Sequence, residues 1–499
     1  GAVGASARPP AATRVVQGRE PYTFDELPEG TLHLKVLGSP HAHARIVSID
    51  ASAALAMDGV HAVLTHEDAP ATRFSTARHE NRLDDPRDTR ILDEVVRFKG
   101  QRVAAVIADT PAIADAAREA IVVEYDALPA VFDPEEARSG SAPVIHPDRT
   151  PDDGVLDAAR NTVASWKGGY GDVDGGLAAA SAVATGTWTT GRVSHAQLET
   201  HGSIGWIDDL GRLTVRTSSQ VPFLVRDELA LILDRAPESV RVFTARVGGG
   251  FGGKQEIFTE DLVALAVLTT GRPVAYEMTR EEEFIRTATR HPFRVKATLG
   301  ASAEGLLTAM DIEVLSNTGA YGNHAIGVMF HGCAESLEAY RSPAKRLDAE
   351  VVYTNQTPAG AFRGYGLGQV IFAVESAMDD LALQLGIDPY EMRRLNAVKE
   401  GDPLGVTERK HQDGLIFGSY GLDQCLDLTE AAMRRGNGVA APEGWSVGEG
   451  MALVRKFGIE PSVLQRVLTE GLFDCAAYKI YGEIIVNEGY DKVGVTALI

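Results

Sequence analysis

The densest chemical signal in the chain is the run Arg246 to Gln255, where five glycines (Gly248, Gly249, Gly250, Gly252, Gly253) surround Phe251 and lead into Lys254. Residues without a Cβ let main chain approach a bulky group and turn N–H donors toward it. A strand-like stretch, Ser239 to Val247, precedes the run, and a helix-like stretch, Glu260 to Leu268, follows it. Strand, glycine loop and helix in that order commonly cradle an anion. The nearest short motif is the phosphate loop G-x-x-x-x-G-K-[ST], which Gly248 to Lys254 satisfies up to its final position. Gln255 stands where Ser or Thr would hold magnesium, which argues against a nucleotide hydrolase. A glycine-rich turn with no ligand is the competing structural reading.

The elements that must position this loop can be read from patterning. Thr31 to Val36, Arg45 to Ile49 and Arg102 to Ala108 read as strands; Thr110 caps a helix with Pro111 in its first turn, and Ile121 to Tyr125 returns as a strand. Glu135 to about Gly176 is rich in Pro, Asp, Ser and Gly and reads as a linker over the surface. Beyond about Ala178 a larger domain begins. Leu213 to Thr217 is a strand ending in the polar group Ser218, Ser219 and Gln220, and Gly300 to Val314 is a hairpin turning at Ala303 to Gly305. Val370 to Leu385 is an amphipathic helix with Val370, Val374, Ala377, Met378, Leu381 and Leu385 on one face; Gly386 stops it, and Asp388, Pro389 and Glu391 start the next. Toward the end, Ser462 to Leu468 suggests a short helix, and Glu483 to Val486 with Val493 to Ala497 a strand pair. Together these elements predict a mixed α/β (α+β) fold.

Composition narrows the function. A chain of 499 residues, 44% hydrophobic, can bury large cores in two or three domains. A net charge of −21 argues against nucleic acid or an anionic membrane as partner, and no apolar run has the length of a membrane helix. Gly1 to Pro10 reads as a loose tail without the apolar core of a signal peptide. Cys333, Cys425 and Cys475 stand far apart, which suits a reducing, cytoplasmic compartment and gives no metal-ligand spacing. C-x-x-C is absent, and the formal G-x-G-x-x-G match at Gly248 to Gly253 is the glycine run itself rather than a separate dinucleotide fingerprint, so any redox partner cofactor is expected on another polypeptide.

Further motifs line up in order with a known family. Ser39 to Arg45, Ile49 with Asp50, Gly59 with Val60, Gly100 to Ala104 and Glu124 to Pro129 resemble the a/b hammerhead domain of the xanthine dehydrogenase and aldehyde oxidase family. His195 with Glu199, Ser219 with Gln220, Gly248 to Lys254, Thr279 to Glu281, Asn317 to Tyr321, Ala361 to Gly366, Gly386 to Pro389 and Arg393 to Asn396 resemble its first molybdopterin-binding domain. The resemblance covers about residues 18 to 452 and is greatest to bacterial xanthine dehydrogenase molybdenum subunits. It implies a flexible tail over 1–17, a hammerhead domain over 18–140, a linker over 141–177 and a molybdopterin-binding domain over 178–452, with 453–499 unassigned.

Roles follow from the resemblance position by position. Molybdenum would be held by the pterin dithiolene, with no side chain bonded to the metal. Gln220 would hydrogen-bond an oxo group on it, backbone around Gly250, Phe251 and Gly252 would lie near the same oxygen, and backbone at Arg363 would line the other side. Tyr365 would stack on substrate, and Gln255 would face it. The implied chemistry is oxidative hydroxylation of an N-heteroaromatic ring, xanthine or hypoxanthine first, nicotinate second and an aldehyde third. Oxygen would come from water, and electrons would pass to 2Fe-2S and FAD centres on partner subunits. Both mononucleotide and cytosine dinucleotide forms of the pterin remain open.

Three departures qualify the resemblance. The family's second molybdenum domain, roughly 300 residues carrying a G-Q-G pterin loop and the general-base glutamate, has no counterpart after Gly448 to Ala452, and the surroundings of Glu483 do not match. The expectation is that a second molybdopterin-domain chain supplies it, the alternative being a non-catalytic scaffolding subunit. Animal xanthine dehydrogenases carry Glu where Gln255 stands and Arg where Gly327 stands, so a purine anion would lose a cationic partner here. Glu256 and His324 are candidate pocket groups, with loop solvation the preferred reading for each.

Overall fold

The protein is described from a computed structural model, over residues 8–77, 85–399, 402, 420–435, 444 and 450–453. The predicted helix and strand pair at Ser462 to Leu468, Glu483 to Val486 and Val493 to Ala497, and Cys475, lie outside the described residues.

Fifteen strands form three sheets among the described residues. In β1 (Leu32–Gly38) the alternating residues Leu32, Leu34 and Val36 are buried and the residues between them are half-exposed, the pattern of a strand with one face on the core. β2 (Ala44–Asp50), β4 (Val95–Val96) and β6 (Val122–Ala127) form a small antiparallel sheet. β3 (Val60–Leu64) and β5 (Arg102–Ala108) join β1 instead. β5 is buried from Val103 to Ala108, as expected of a near-continuous apolar run with a strand on each side. The helix Pro111–Glu119 starts as predicted: Thr110 Oγ1 accepts the Ile113 N–H, and Pro111 fills the first turn. Its buried face, Ala114 and Ala117, packs with Ala54, Ala104 and Ala108.

Two organisational expectations fail. Of the first unit, residues 31–137, only β2, β4 and β6 keep a sheet of their own; β1, β3 and β5 do not. β9 (Gly202–Ile207), β10 (Leu213–Thr217), β11 (Val240–Phe243) and β12 (Val274–Glu277) complete a seven-stranded sheet in the order β11-β10-β9-β12-β1-β5-β3. The seam is the parallel pairing of β1 with β12, Leu32 opposite Val274. Nor is the stretch after Glu135 only a surface linker. β7 (Thr162–Tyr170) is an edge strand paired antiparallel with β15 (Lys345–Tyr353). Ile145 and Val155 before it and Val163 within it are buried in the core. Three small or polar residues (Ser165, Gly168, Gly169) and flanking Asp and Pro hide an edge strand, because only one side of it must pair.

β7 and β15 belong to a five-stranded sheet, order β7-β15-β14-β13-β8, with β8 (Ala182–Thr189), β13 (Phe293–Ala301) and β14 (Leu307–Gly319). β13 and β14 form the predicted hairpin. The helix Leu367–Leu385 lies on this sheet with Val370, Val374, Ala377, Met378 and Leu381 fully buried; Leu385 at its end is half-exposed. Gly386, at φ 67°, ends it, and the Asp388 carboxylate accepts the Tyr390 and Glu391 N–H groups to start the next helix. The helix Glu260–Thr270 is buried from Glu260 to Val267 and covers the seven-stranded sheet. Its apolar character all round, with no polar face, follows from that position. These two helix-covered sheets present the loops that carry the site.

Candidate functional site

Gln220 follows the end of β10, and its side chain is tied to the glycine loop. Its Oε1 accepts the Gly252 N–H at 3.1 Å and the Lys254 N–H at 3.3 Å, while the Gln220 backbone N–H donates to Lys254 O at 2.8 Å. The carboxamide oxygen thus faces the loop, and the NH2 end is left as the donor of an exposed side chain. A Cβ at Gly250 would lie 2.4 Å from that oxygen, so glycine is what lets the carboxamide lie against the loop. Gly252, at φ 96°, has the same role on the other side, where a Cβ would lie 3.1 Å from the Ala361 backbone.

Below the loop, Lys254 is buried. Its Nζ donates to Glu199 Oε2 at 2.8 Å, and that oxygen also accepts the Gly248 N–H at 2.7 Å. Burial pulls the Lys254 ammonium below its usual range, offset in part by Glu199. His201 Nε2–H donates to Gly253 O at 2.8 Å. This removes the phosphate-loop reading: the lysine reaches inward to a carboxylate. The helix N-terminus does not serve as an anion cradle either, because Glu260 Oε2 accepts the Phe258 and Thr259 N–H groups there.

The segment 361–366 closes against the loop. The Arg363 N–H donates to Phe251 O at 2.9 Å, and Arg363 O accepts Arg290 Nη2 at 2.9 Å. The Arg290 guanidinium also lies 3.9 Å over the Phe362 ring, and burial lowers it to about 10. His195 stacks on the other partner of that assembly, 4.1 Å from Phe362, and its Nε2–H donates to Ala361 O at 2.7 Å. Phe251 and Tyr365 both hold positive φ, 54° and 48°, and Phe251 is 52% exposed. Left-handed backbone at a bulky residue costs energy and persists where surrounding contacts determine it; here the inter-loop bonds do so.

The structure therefore brings Gln220, Gly250, Phe251, Gly252 and Arg363 together through direct contacts. Tyr365 joins by a different route, its Oη 2.7 Å from His324 Nδ1. Gln255 is half-buried, and its buried Oε1 has no hydrogen-bond partner among the described residues. Glu256 and His324 contradict their reading as solvated loop residues: both are buried. The available signal was the apolar pair Ile257 and Phe258 after Glu256 and the apolar run after His324, which pull their neighbours inward. His195, known only as a motif landmark, and Arg290, which sequence reasoning missed, prove to be the clamps on 361–366. No group of three or more His, Cys, Asp or Glu side chains able to hold a metal ion occurs among the described residues, and no helix among them is long and apolar enough to cross a membrane.

Burial also makes the fold acid-sensitive. It pushes His195 down to about 4 and His291 down to about 3, from an ordinary value of 6.5. Both are neutral in the fold and take up a proton on unfolding below about 6.5, so the unfolded chain binds more protons between about 6.5 and about 4. Stability is expected to fall as pH drops through that window. Urea midpoints at pH 7 and pH 5 check it; His195→Asn should shrink the difference between the two.

Comparison with known proteins gives a consistent set of matches. Residues 155–397 match the molybdopterin cofactor-binding domain, and residues 17–129 match the aldehyde oxidase and xanthine dehydrogenase a/b hammerhead domain. The chain is 35% identical over 482 residues to the probable hypoxanthine oxidase XdhD of Escherichia coli (strain K12), covering 90% of this chain and 50% of that protein. It is 34% identical over 407 residues to the nicotinate dehydrogenase large molybdopterin subunit of Eubacterium barkeri, covering 81% of this chain and 89% of that one. Among solved structures, quinoline 2-oxidoreductase from Pseudomonas putida 86 matches with a TM-score of 0.76 at 31% identity, over 87% of this chain and 55% of that one. The chain spans about half the length of the hypoxanthine oxidase relative.

Proposed function

Because the chain belongs to the aldehyde oxidase and xanthine dehydrogenase family of molybdenum-dependent oxidoreductases, we propose that the face made by residues 248–254 and 361–366 binds molybdopterin and serves oxidative hydroxylation of a neutral N-heteroaromatic ring. The ring is hypoxanthine- or xanthine-like, and water is the oxygen source. The observation that carries this reading is the lock between the two loops. Arg363 N–H meets Phe251 O, and Gly252 lies against Ala361 with no room for a side chain. Beside that seam Gln220 presents its NH2 donor.

When bound, the cofactor supplies the two-electron redox chemistry and the oxygen transfer. The chain's own residues bind and orient. Gln220 offers a neutral donor toward the cofactor, and backbone at Phe251, Gly252 and Arg363 flanks it. Tyr365 and Gln255 face the ring; the unpartnered Gln255 oxygen suits a ring N–H. Gly327 in place of an arginine leaves no cation at that position, which favours a neutral ring over a purine anion. A second molybdopterin-domain chain, bearing the general-base glutamate, and 2Fe-2S and FAD subunits complete the proposed assembly. The relative covered over 89% of its length, itself named a large molybdopterin subunit, supports this arrangement. It also favours nicotinate as the second substrate reading.

Bleaching of the visible absorbance of the purified complex tests the proposal. Hypoxanthine or xanthine is expected to bleach it within seconds under anaerobic conditions. Bleaching by nicotinate alone would move the assignment to the second reading, and inertness to every ring tried would defeat both.

A further inference from the structure

Three side chains lead inward from the site. Tyr365 Oη lies 2.7 Å from His324 Nδ1, and His324 Nε2 lies 3.8 Å from Glu256 Oε1. His324 and Glu256 are both buried. The same Glu256 oxygen accepts the Ala361 N–H at 3.0 Å, so one carboxylate holds the loop beside Phe251 and also faces the imidazole behind Tyr365. The place is built for it: a Cβ at Gly360 would lie 1.7 Å from Glu256 Oε1. Gly327 gives corresponding room to the phenol, since a Cβ there would lie 2.7 Å from Tyr365 Oη. The backbone at Tyr365 is left-handed between Gly364 at 91° and Gly366 at 92°, which sets the ring at an angle that an ordinary backbone would not give.

Charge decides the direction of the hydrogen bond between Tyr365 and His324. A carboxylate facing Nε2 favours the tautomer protonated there, which makes Nδ1 the acceptor. The Tyr365 O–H then donates to Nδ1. A phenol has one proton; with that proton committed to His324, the oxygen meets a substrate as an acceptor. We propose that Glu256 and His324 are positioning residues that fix the Tyr365 phenol as a hydrogen-bond acceptor, so that the site selects heteroaromatic rings presenting an N–H. This inference rests on the functional reading above and adds the basis of its selectivity.

The test uses the holo complex and two substrates, hypoxanthine and an N-methylated hypoxanthine lacking that N–H. Tyr365→Phe removes the acceptor; Glu256→Gln keeps an oxygen for the Ala361 N–H but removes the charge that sets the tautomer. Each is expected to raise KM for hypoxanthine about tenfold, with kcat within about twofold, and to raise KM for the methylated ring clearly less than that for hypoxanthine. The double variant should be no worse than the single ones, because the three residues act as one unit. Equal losses on both rings, or unchanged KM in Tyr365→Phe, would overturn the inference while leaving the hydroxylase reading in place. Wild-type complex that carries molybdenum but turns over neither ring would overturn both.

Discussion

Gln220→Glu is expected to leave the fold intact and lower kcat by about 100-fold or more. The glutamate keeps an oxygen for the Gly252 and Lys254 N–H groups, so the loop keeps the bonds that Gln220 Oε1 now accepts. What changes is the exposed end, where an NH2 donor becomes an anionic acceptor. In the proposed role, a donor aimed at an oxygen near the reacting centre is replaced by a repulsive group. Loss of one such donor typically costs about 10²–10³ in rate. Steady-state kinetics on the complex, with molybdenum content and thermal midpoint measured on the same sample, check this. A midpoint within about 2 °C of wild type would show that the loop survived. Wild-type kcat with the carboxylate in place would remove Gln220 from the chemistry.

Lys254→Met is expected to destabilise the chain by about 3 kcal/mol. Its ammonium is buried against Glu199, and removing one partner of such a pair leaves a charge without compensation, at a typical cost of about 3–5 kcal/mol. The Glu199 side chain keeps 14% exposure, which favours the lower end of that range. Because Glu199 Oε2 also holds the Gly248 N–H, the same change should loosen the start of the glycine loop. Adding Glu199→Gln should recover much of the loss, since an uncharged amide can still accept that N–H. Urea unfolding of the four proteins of this cycle measures the coupling. Additive losses would show that the pair is not a unit.

Legibility differed sharply between local and long-range features. The Thr110 and Asp388 caps, the Gly386 stop, the β13–β14 hairpin and the stripe on Leu367–Leu385 all follow from neighbours a few residues apart, where turn chemistry and helical period act directly. The same is true of the glycine loop and of Gln220 at a strand end. The shared seven-stranded sheet was not legible, because the pairing of Leu32 with Val274 depends on tertiary packing across some 240 residues and leaves no local trace. β7 was hidden by its composition. Glu256 and His324 were misread because a charged or polar residue usually signals solvent; only the fold shows that Gly360 opens the space Glu256 uses. The phosphate-loop alternative failed for a related reason, since sequence spacing does not show which way Lys254 points.

The most direct test of the central claim is molybdenum and pterin content of the complex isolated through a tag on this chain, measured with native mass spectrometry on the same sample. Roughly one molybdenum and one pterin per chain are expected, accompanied by a second molybdopterin-domain chain and by iron–sulfur and flavin subunits. Gly250→Val, which displaces the Gln220 carboxamide, is expected to lower the molybdenum content. A folded chain that carries neither molybdenum nor pterin with those partners bound would contradict that claim.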